Sequence, residues 1–219
     1  MTPAPRGGAV ETRATVPARR GAPDRHRIFI AVPLAPAVRE GAAQARALLA
    51  AHAGQLRWVS PRHLHLTLQF LGDLTTADVT EAVEAARAAA AADSPFAITF
   101  AGLGAFPSVA APRVVWVGVT RGAERLIALA ESLARALRDR GLSLDSRPFA
   151  PHLTLARVRG TGRPPDLRRE AEAFDRVVLG AQSVTELVVV KSVLGPSEPA
   201  HTVVATASVG SGARNSEVL

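Results

Sequence analysis

Arg27-Ile28-Phe29-Ile30-Ala31-Val32 is an apolar run with β-branched residues at alternate positions, closed by Pro33, and it reads as a strand. Pro36 then opens an amphipathic helix whose apolar face runs through Val38, Ala42, Ala45, Leu48 and Leu49. From Leu64 to Leu71 apolar and polar residues alternate, the period of a half-buried strand. After Gly72, the Thr75-x-x-Asp78 start signal leads into an alanine-rich helix ending near Asp93 and Pro95. Strands are predicted over Phe96 to Leu103 and Arg113 to Thr120, joined by a Gly/Pro loop. A long helix follows from Ala123 to Arg140, with Leu126, Leu129, Leu133 and Leu137 on one face and Gly141 as its stop. The pattern closes with a strand from His152 to Val158, a short helix around Asp166 to Phe174, and strands over Val184 to Leu194 and Thr202 to Val209. Strict βαβ alternation is missing, so the fold class is α+β with mainly antiparallel sheets.

The 219 residues, 47% hydrophobic and 21% charged, fit one globular domain or two small lobes sharing a core. No apolar stretch approaches the roughly 18 to 20 residues of a bilayer span, and no secretory apolar region opens the chain, which predicts a cytoplasmic protein with no membrane contact. The segment through Arg27 holds six arginines against Glu11 and Asp24, and so carries four of the seven net positive charges. It reads as a disordered basic tail over 1–24, with 25–209 as the folded domain and 210–219 as a second disordered tail.

Composition also removes chemistries. With no cysteine there is no disulfide, thiolate nucleophile or cysteine-ligated metal, and with no tyrosine no phenol can act as a base. Lys191 is the only lysine and sits in Val-Val-Val-Lys-Ser-Val, a strand context. That excludes a P-loop and argues against a lysyl-adenylate ligase.

One word occurs twice, as His65-Leu66-Thr67-Leu68 and His152-Leu153-Thr154-Leu155. In a strand, His and Thr share one face while the leucines take the other, so each copy is a polar platform backed by core. Two platforms suggest two lobes facing each other. A pair of imidazoles suits phosphodiester cleavage: one takes a proton from water while the other gives one to the departing oxygen, and no metal is needed if the phosphate is a strained ring. The threonine hydroxyls can hold the nonbridging oxygens.

These residues resemble the 2H phosphoesterase superfamily, and within it the bacterial RNA 2',3'-cyclic phosphodiesterases, also called 2'-5' RNA ligases. The likeness spans Arg27 to Val209. It rests on His63-Leu64-His65-Leu66-Thr67-Leu68-Gln69-Phe70-Leu71-Gly72, on Arg147-Pro148-Phe149-Ala150-Pro151-His152-Leu153-Thr154-Leu155-Ala156-Arg157, and on Pro112 to Gly118 and Lys191 to Leu194. The resemblance implies a bilobal pseudo-two-fold fold with a V-shaped cleft and helices outside. It also implies His65 as proton donor to the leaving 3' oxygen, His152 as acceptor from water, and Thr67 and Thr154 on the phosphate. The substrates would be RNA 3' termini or cyclic nucleotides, opened by a monomer without cofactor or obligate protein partner. Joining RNA ends without ATP is the reverse reaction, and a nonenzymatic nucleotide-binding module is the other alternative. His201 stands where many relatives carry an aromatic.

Other residues are weaker candidates. Arg157 belongs to the second motif, but an odd count of five from His152 turns it away from the cleft unless a bulge intervenes. His63 with His65 and His152 could in principle bind zinc, although neither motif offers Cys, Asp or Glu. Phe149, Phe106 and Trp58 could stack on a base, while His26, His52 and His201 read as surface residues.

Overall fold

The computed structural model describes residues 24–210 except 145, 146, 161, 176, 196 and 197. The basic N-terminal tail up to residue 23 and all but the first residue of the C-terminal tail lie outside the described residues. The elements are β1 (Arg25–Pro33), α1 (Pro36–Leu48), β2 (Leu56–Trp58), β3 (His65–Thr75), α2 (Thr76–Ala91), β4 (Phe96–Phe106), β5 (Val114–Arg121), α3 (Ala123–Asp139), β6 (His152–Val158), α4 (Arg168–Phe174), β7 (Val178–Val184), β8 (Glu186–Val193) and β9 (Ala200–Ser208). Two antiparallel sheets result, one ordered β3-β1-β8-β9 and the other β2-β6-β5-β4-β7. They are the two lobes of a pseudo-two-fold α+β fold, flanking a V-shaped cleft with helices outside.

Most of the apolar residues form one core running through both lobes, from Ile28, Ile30 and Leu66 to Phe100, Val117, Leu153 and Leu187. The α2 helix enters through a reciprocal cap: the Asp78 backbone N–H donates to Thr75 Oγ1 at 3.2 Å, and the Thr75 N–H donates to Asp78 Oδ2 at 3.1 Å. Its buried face is all alanine, Ala82, Ala85, Ala86, Ala89 and Ala90, which lets it sit close to the first sheet and to α3. The α3 leucines expected in the core, at 126, 129, 133 and 137, are buried, and Gly141 follows at φ 79°, the left-handed conformation that ends a helix. Among the described residues, no helix is long and apolar enough to cross a membrane.

Departures from the pattern occur at the end of α1, at β7 and at β2. Leu48 is 55% exposed rather than on the apolar face of α1; Leu49, four residues after Ala45, takes the buried position. β7 is a strand that the pattern misses, because Gly180, Gln182 and Ser183 interrupt its apolar residues at a sheet edge where few need burying. β2 escapes because it is only three residues long.

The two lobes are tied at the β1–α1 turn. Gln182 of β7 accepts from the Ala35 N–H at 2.8 Å and donates to the Pro33 carbonyl at 2.9 Å. Just beyond, α1 lies against β7 so closely that a Cβ on Gly41 would fall on the Leu179 carbonyl oxygen. Ala is normally favoured over Gly in a helix by about 1 kcal/mol, but here overpacking against backbone, of order 1–3 kcal/mol, opposes that gain. Gly41→Ala is expected to lower the melting temperature by several degrees, whereas Gly54→Ala, with nothing within 4 Å of the new methyl, is not. Thermal unfolding of the two variants beside the parent checks this, and an unchanged Gly41→Ala would show that α1 can shift on β7.

Candidate active site

β3 and β6 pack beside each other, one from each sheet. In both, the leucines of the repeated word are buried in the core while His65, Thr67, His152 and Thr154 remain half-buried on the opposite face. The strand period thus delivers the two polar platforms to the cleft.

Alternation then stops in both strands at the same point. Ala31 pairs with Thr67 and Ile30 with Gln69, which leaves Leu68 as an extra residue in β3. Trp116 pairs with Thr154 and Val115 with Ala156, which leaves Leu155 as the extra residue in β6. Each bulge swaps the faces of the residues after it. Arg157 therefore stands opposite Val114, on the face that carries Trp116 and Thr154, because Val115 and Val117 of the same strand are buried in the core. Its pseudo-symmetric counterpart in β3 is Phe70, opposite Phe29. The clean alternation predicted through Leu71 is overturned by the bulge at Leu68, which leaves Phe70 45% exposed.

Both histidines are held alike from behind. The Nδ1–H of His65 donates to the His63 carbonyl at 2.6 Å, and the Nδ1–H of His152 donates to the Ala150 carbonyl at 2.7 Å. A carbonyl oxygen only accepts, so Nδ1 must carry the proton and Nε2 is left to exchange one.

Their surroundings differ. Phe29 stacks on His65 with centroids 4.5 Å apart and planes 21° apart, and His201 approaches the same imidazole edge-on at 5.5 Å. Burial lowers the His65 pKa to about 4; the His63 carbonyl opposes this, while His201, His63 and Arg39 add to it. At neutral pH and without an anion nearby, His65 is uncharged. His152 meets Phe106 edge-on at 5.1 Å and lies 6.0 Å from Trp116. Gly104, paired with Trp116, leaves the space in which the indole ring lies, since a Cβ there would meet that ring.

The three histidines read as surface residues are not simply so. His201, on β9, is a cleft residue 4.8 Å from His63, and burial lowers its pKa with His63 adding to the effect. His52 pairs with Glu170 at 2.9 Å, and the side chain of His26 is 14% exposed. Partial burial beside His63 and His65 and a carboxylate partner on α4 are tertiary facts that residue type does not carry. His63 faces Glu198 at 3.6 Å, and among the described residues no group of three or more His, Asp or Glu is arranged to hold a metal. Phe149 and Trp58 pack against the core, Trp58 beneath the Arg46 guanidinium, while Phe106 stands at the cleft. Phe29 and Trp116 were missed as site residues. The available signal was that β1 is apolar at every position from Ile28 to Val32, so its second face, with Phe29 and Ala31, also needed a cover.

A family model for the 2'-5' RNA ligase superfamily matches residues 23–195. An RNA 2',3'-cyclic phosphodiesterase of Aquifex aeolicus is 36% identical over 149 residues, 68% of this chain and 79% of that protein. A crystal structure of a Thermus thermophilus protein superposes with a TM-score of 0.70 at 29% identity, covering 84% of this chain and 98% of the other. E. coli LigT complexed with 3'-AMP superposes with a TM-score of 0.67 at 25% identity, covering 85% and 99%. Sequence, fold and the paired His-x-Thr strands agree, and the chain belongs to the 2'-5' RNA ligase superfamily, the 2H phosphoesterases.

Proposed function

We propose that this chain is an RNA 2',3'-cyclic phosphodiesterase that opens cyclic phosphate ends to 2'-phosphates by metal-independent acid–base catalysis. The observation that carries the reading is the matched pair of imidazoles, each with Nδ1 fixed to the carbonyl two residues earlier and Nε2 left for proton transfer. Family membership and the relatives' activity support it. His152 takes the proton of a water molecule as the water oxygen bonds to phosphorus. The bond from phosphorus to the 3' oxygen breaks, and His65 gives that oxygen its proton. Thr67 and Thr154 donate to the nonbridging oxygens, and Arg157, turned to their face by the Leu155 bulge, adds a positive charge. The products are a 3' hydroxyl and a 2'-phosphate; exchange with solvent then resets both rings. With the 5' hydroxyl of a second RNA end in place of water, the same transfers break the bond to the 3' oxygen and join the ends through a 2'-5' linkage without ATP; dilute ends in water favour hydrolysis. The chain would act in the cytoplasm as a monomer.

His65 must be charged to act as donor, and the anionic phosphate supplies the reason for it to become so. An anion beside the ring favours imidazolium, so its arrival raises the pKa from about 4. Below that value the ring is charged without help; above it, binding draws in a proton, and affinity for the anion falls as pH rises through the new midpoint. NMR titration of the His65 ring with and without saturating sulfate, itself not titrating in this range, is expected to show the midpoint move upward. An unmoved midpoint would take His65 away from the phosphate.

Replacing His65 or His152 by Ala is expected to cost about 10² to 10⁴-fold in turnover of a cyclic phosphate, with the double variant scarcely worse than the poorer single one, because both act in one transition state. Thr67→Val and Thr154→Val are expected to cost about 10- to 100-fold each, the worth of a hydrogen bond to a charged oxygen. Steady-state kinetics on an oligonucleotide ending in a 2',3'-cyclic phosphate checks these; near-normal His152→Ala would end the acid–base reading. Turnover is also expected to persist after exhaustive chelation, and loss in EDTA with rescue by zinc would bring His63, His65 and His152 back as ligands.

A further inference from the structure

Strand register arranges the rings around His65. Phe29, Ala31 and Pro33 follow one another on the cleft face of β1, and their partners on β3 are Phe70, Thr67 and His65. Ala31 carries only a methyl, which leaves the Phe29 and His65 side chains room to lean together over it until their rings stack, 4.5 Å and 21° apart. Phe29 is 5% exposed and belongs, with Ala31, Val188 and Val190, to a small buried floor separate from the main core. Its ring is held from below, and the imidazole rests on its face.

Among the described residues no other imidazole is stacked on an aromatic ring in this way. His152 meets Phe106 at 87° and Trp116 at 55°, and His201 meets Phe29 at 69°. The negative face of a phenyl ring stabilises a cation lying over it. The charged neighbours act the other way: His63 before β3, His201 on β9 and Arg39 on α1 all oppose a charge on His65, while Glu198 lies 3.6 Å from His63 and His152 stands on β6. Resting on the function proposed above, we infer that Phe29 is the positioning residue that fits His65 for the donor role, its face holding the imidazole in place and favouring the ring's charged form once phosphate is bound. Both histidines have the same kind of backbone partner, so the stacked face is a feature that tells donor from acceptor. The same ring also shields His65 from water, which disfavours charge, and a test has to separate the two effects.

The separation comes from changing the face without changing the shape. Mono-, tri- and pentafluorinated phenylalanine at position 29 withdraw electron density from the ring in steps and leave its bulk nearly as it was. The His65 midpoint, followed by NMR in saturating sulfate, is expected to fall with fluorine content. Phe29→Leu, which keeps apolar bulk without a face, is expected to weaken the proton affinity of His65 about 5- to 30-fold, a midpoint lower by about one pH unit. The basic limb of the kcat profile on adenosine 2',3'-cyclic phosphate is expected to move to lower pH by the same amount, because the donor must be charged in the bound complex. A midpoint indifferent to fluorine content, or a Phe29→Leu midpoint that rises because the lost ring merely admits water, would overturn the inference; should Leu unsettle the floor, the fluorinated set decides alone. A parent protein whose His65 responds to sulfate while its fluorinated variants match it sinks only the role of Phe29. A parent that neither responds to sulfate nor turns over the cyclic nucleotide sinks the proposed function with it.

Discussion

Leu66, Leu68, Leu153 and Leu155 decide where the imidazoles go. Each is buried in the common core, and burying one such side chain is worth about 1.5–3 kcal/mol. A slip of one residue in either strand would expose two leucines to the cleft and drive a histidine and a threonine into hydrocarbon. The core therefore holds the register, and the register holds the chemistry. The bulges at Leu68 and Leu155 come only after that anchor is complete, so the strands change their facing without disturbing the His-x-Thr pairs.

The pseudo-two-fold relation is kept in the backbone and broken in the surroundings of the two rings. Both histidines lean on the carbonyl two residues back, but one lies flat against Phe29 with His201 beside it and the other meets an aromatic edge. Burial holds the His65 imidazole neutral at neutral pH, and on the proposed reading a bound phosphate is what would charge it. The short Pro61–His63 turn before His65 is itself secured by Arg39, which donates to the Pro61 carbonyl and to the Leu34 carbonyl. This links the His65 ring to the α1 end of the first strand.

Much of this is legible in the sequence because it depends on short-range periods. The capping box at Thr75 and Asp78, the leucine stripe of α3, the limits of β6 and the His/Thr face of each motif all follow from local rules. What escaped depends on pairing. A bulge is a property of two strands, so neither the exposure of Phe70 nor the cleft face of Arg157 could be read from one. His201 looks like a lone surface residue until β9 is set beside β8, where its partner Ser192 faces Arg27. β7 is invisible because its role is to be an edge, pinned through Gln182 rather than through a run of apolar side chains.

The strand order has a consequence for how the chain becomes a protein at all. β1, the first strand described, lies inside its sheet between β3 and β8, so one flank of it finds a partner within some fifty residues and the other waits until almost the whole chain exists. During synthesis from the N-terminus, the Phe29 edge of the nascent hairpin stays open until β8 and β9 emerge. The floor beneath His65 is thus among the last surfaces to close, and a chain ending before Glu186 would hold both His-x-Thr motifs and no finished cleft.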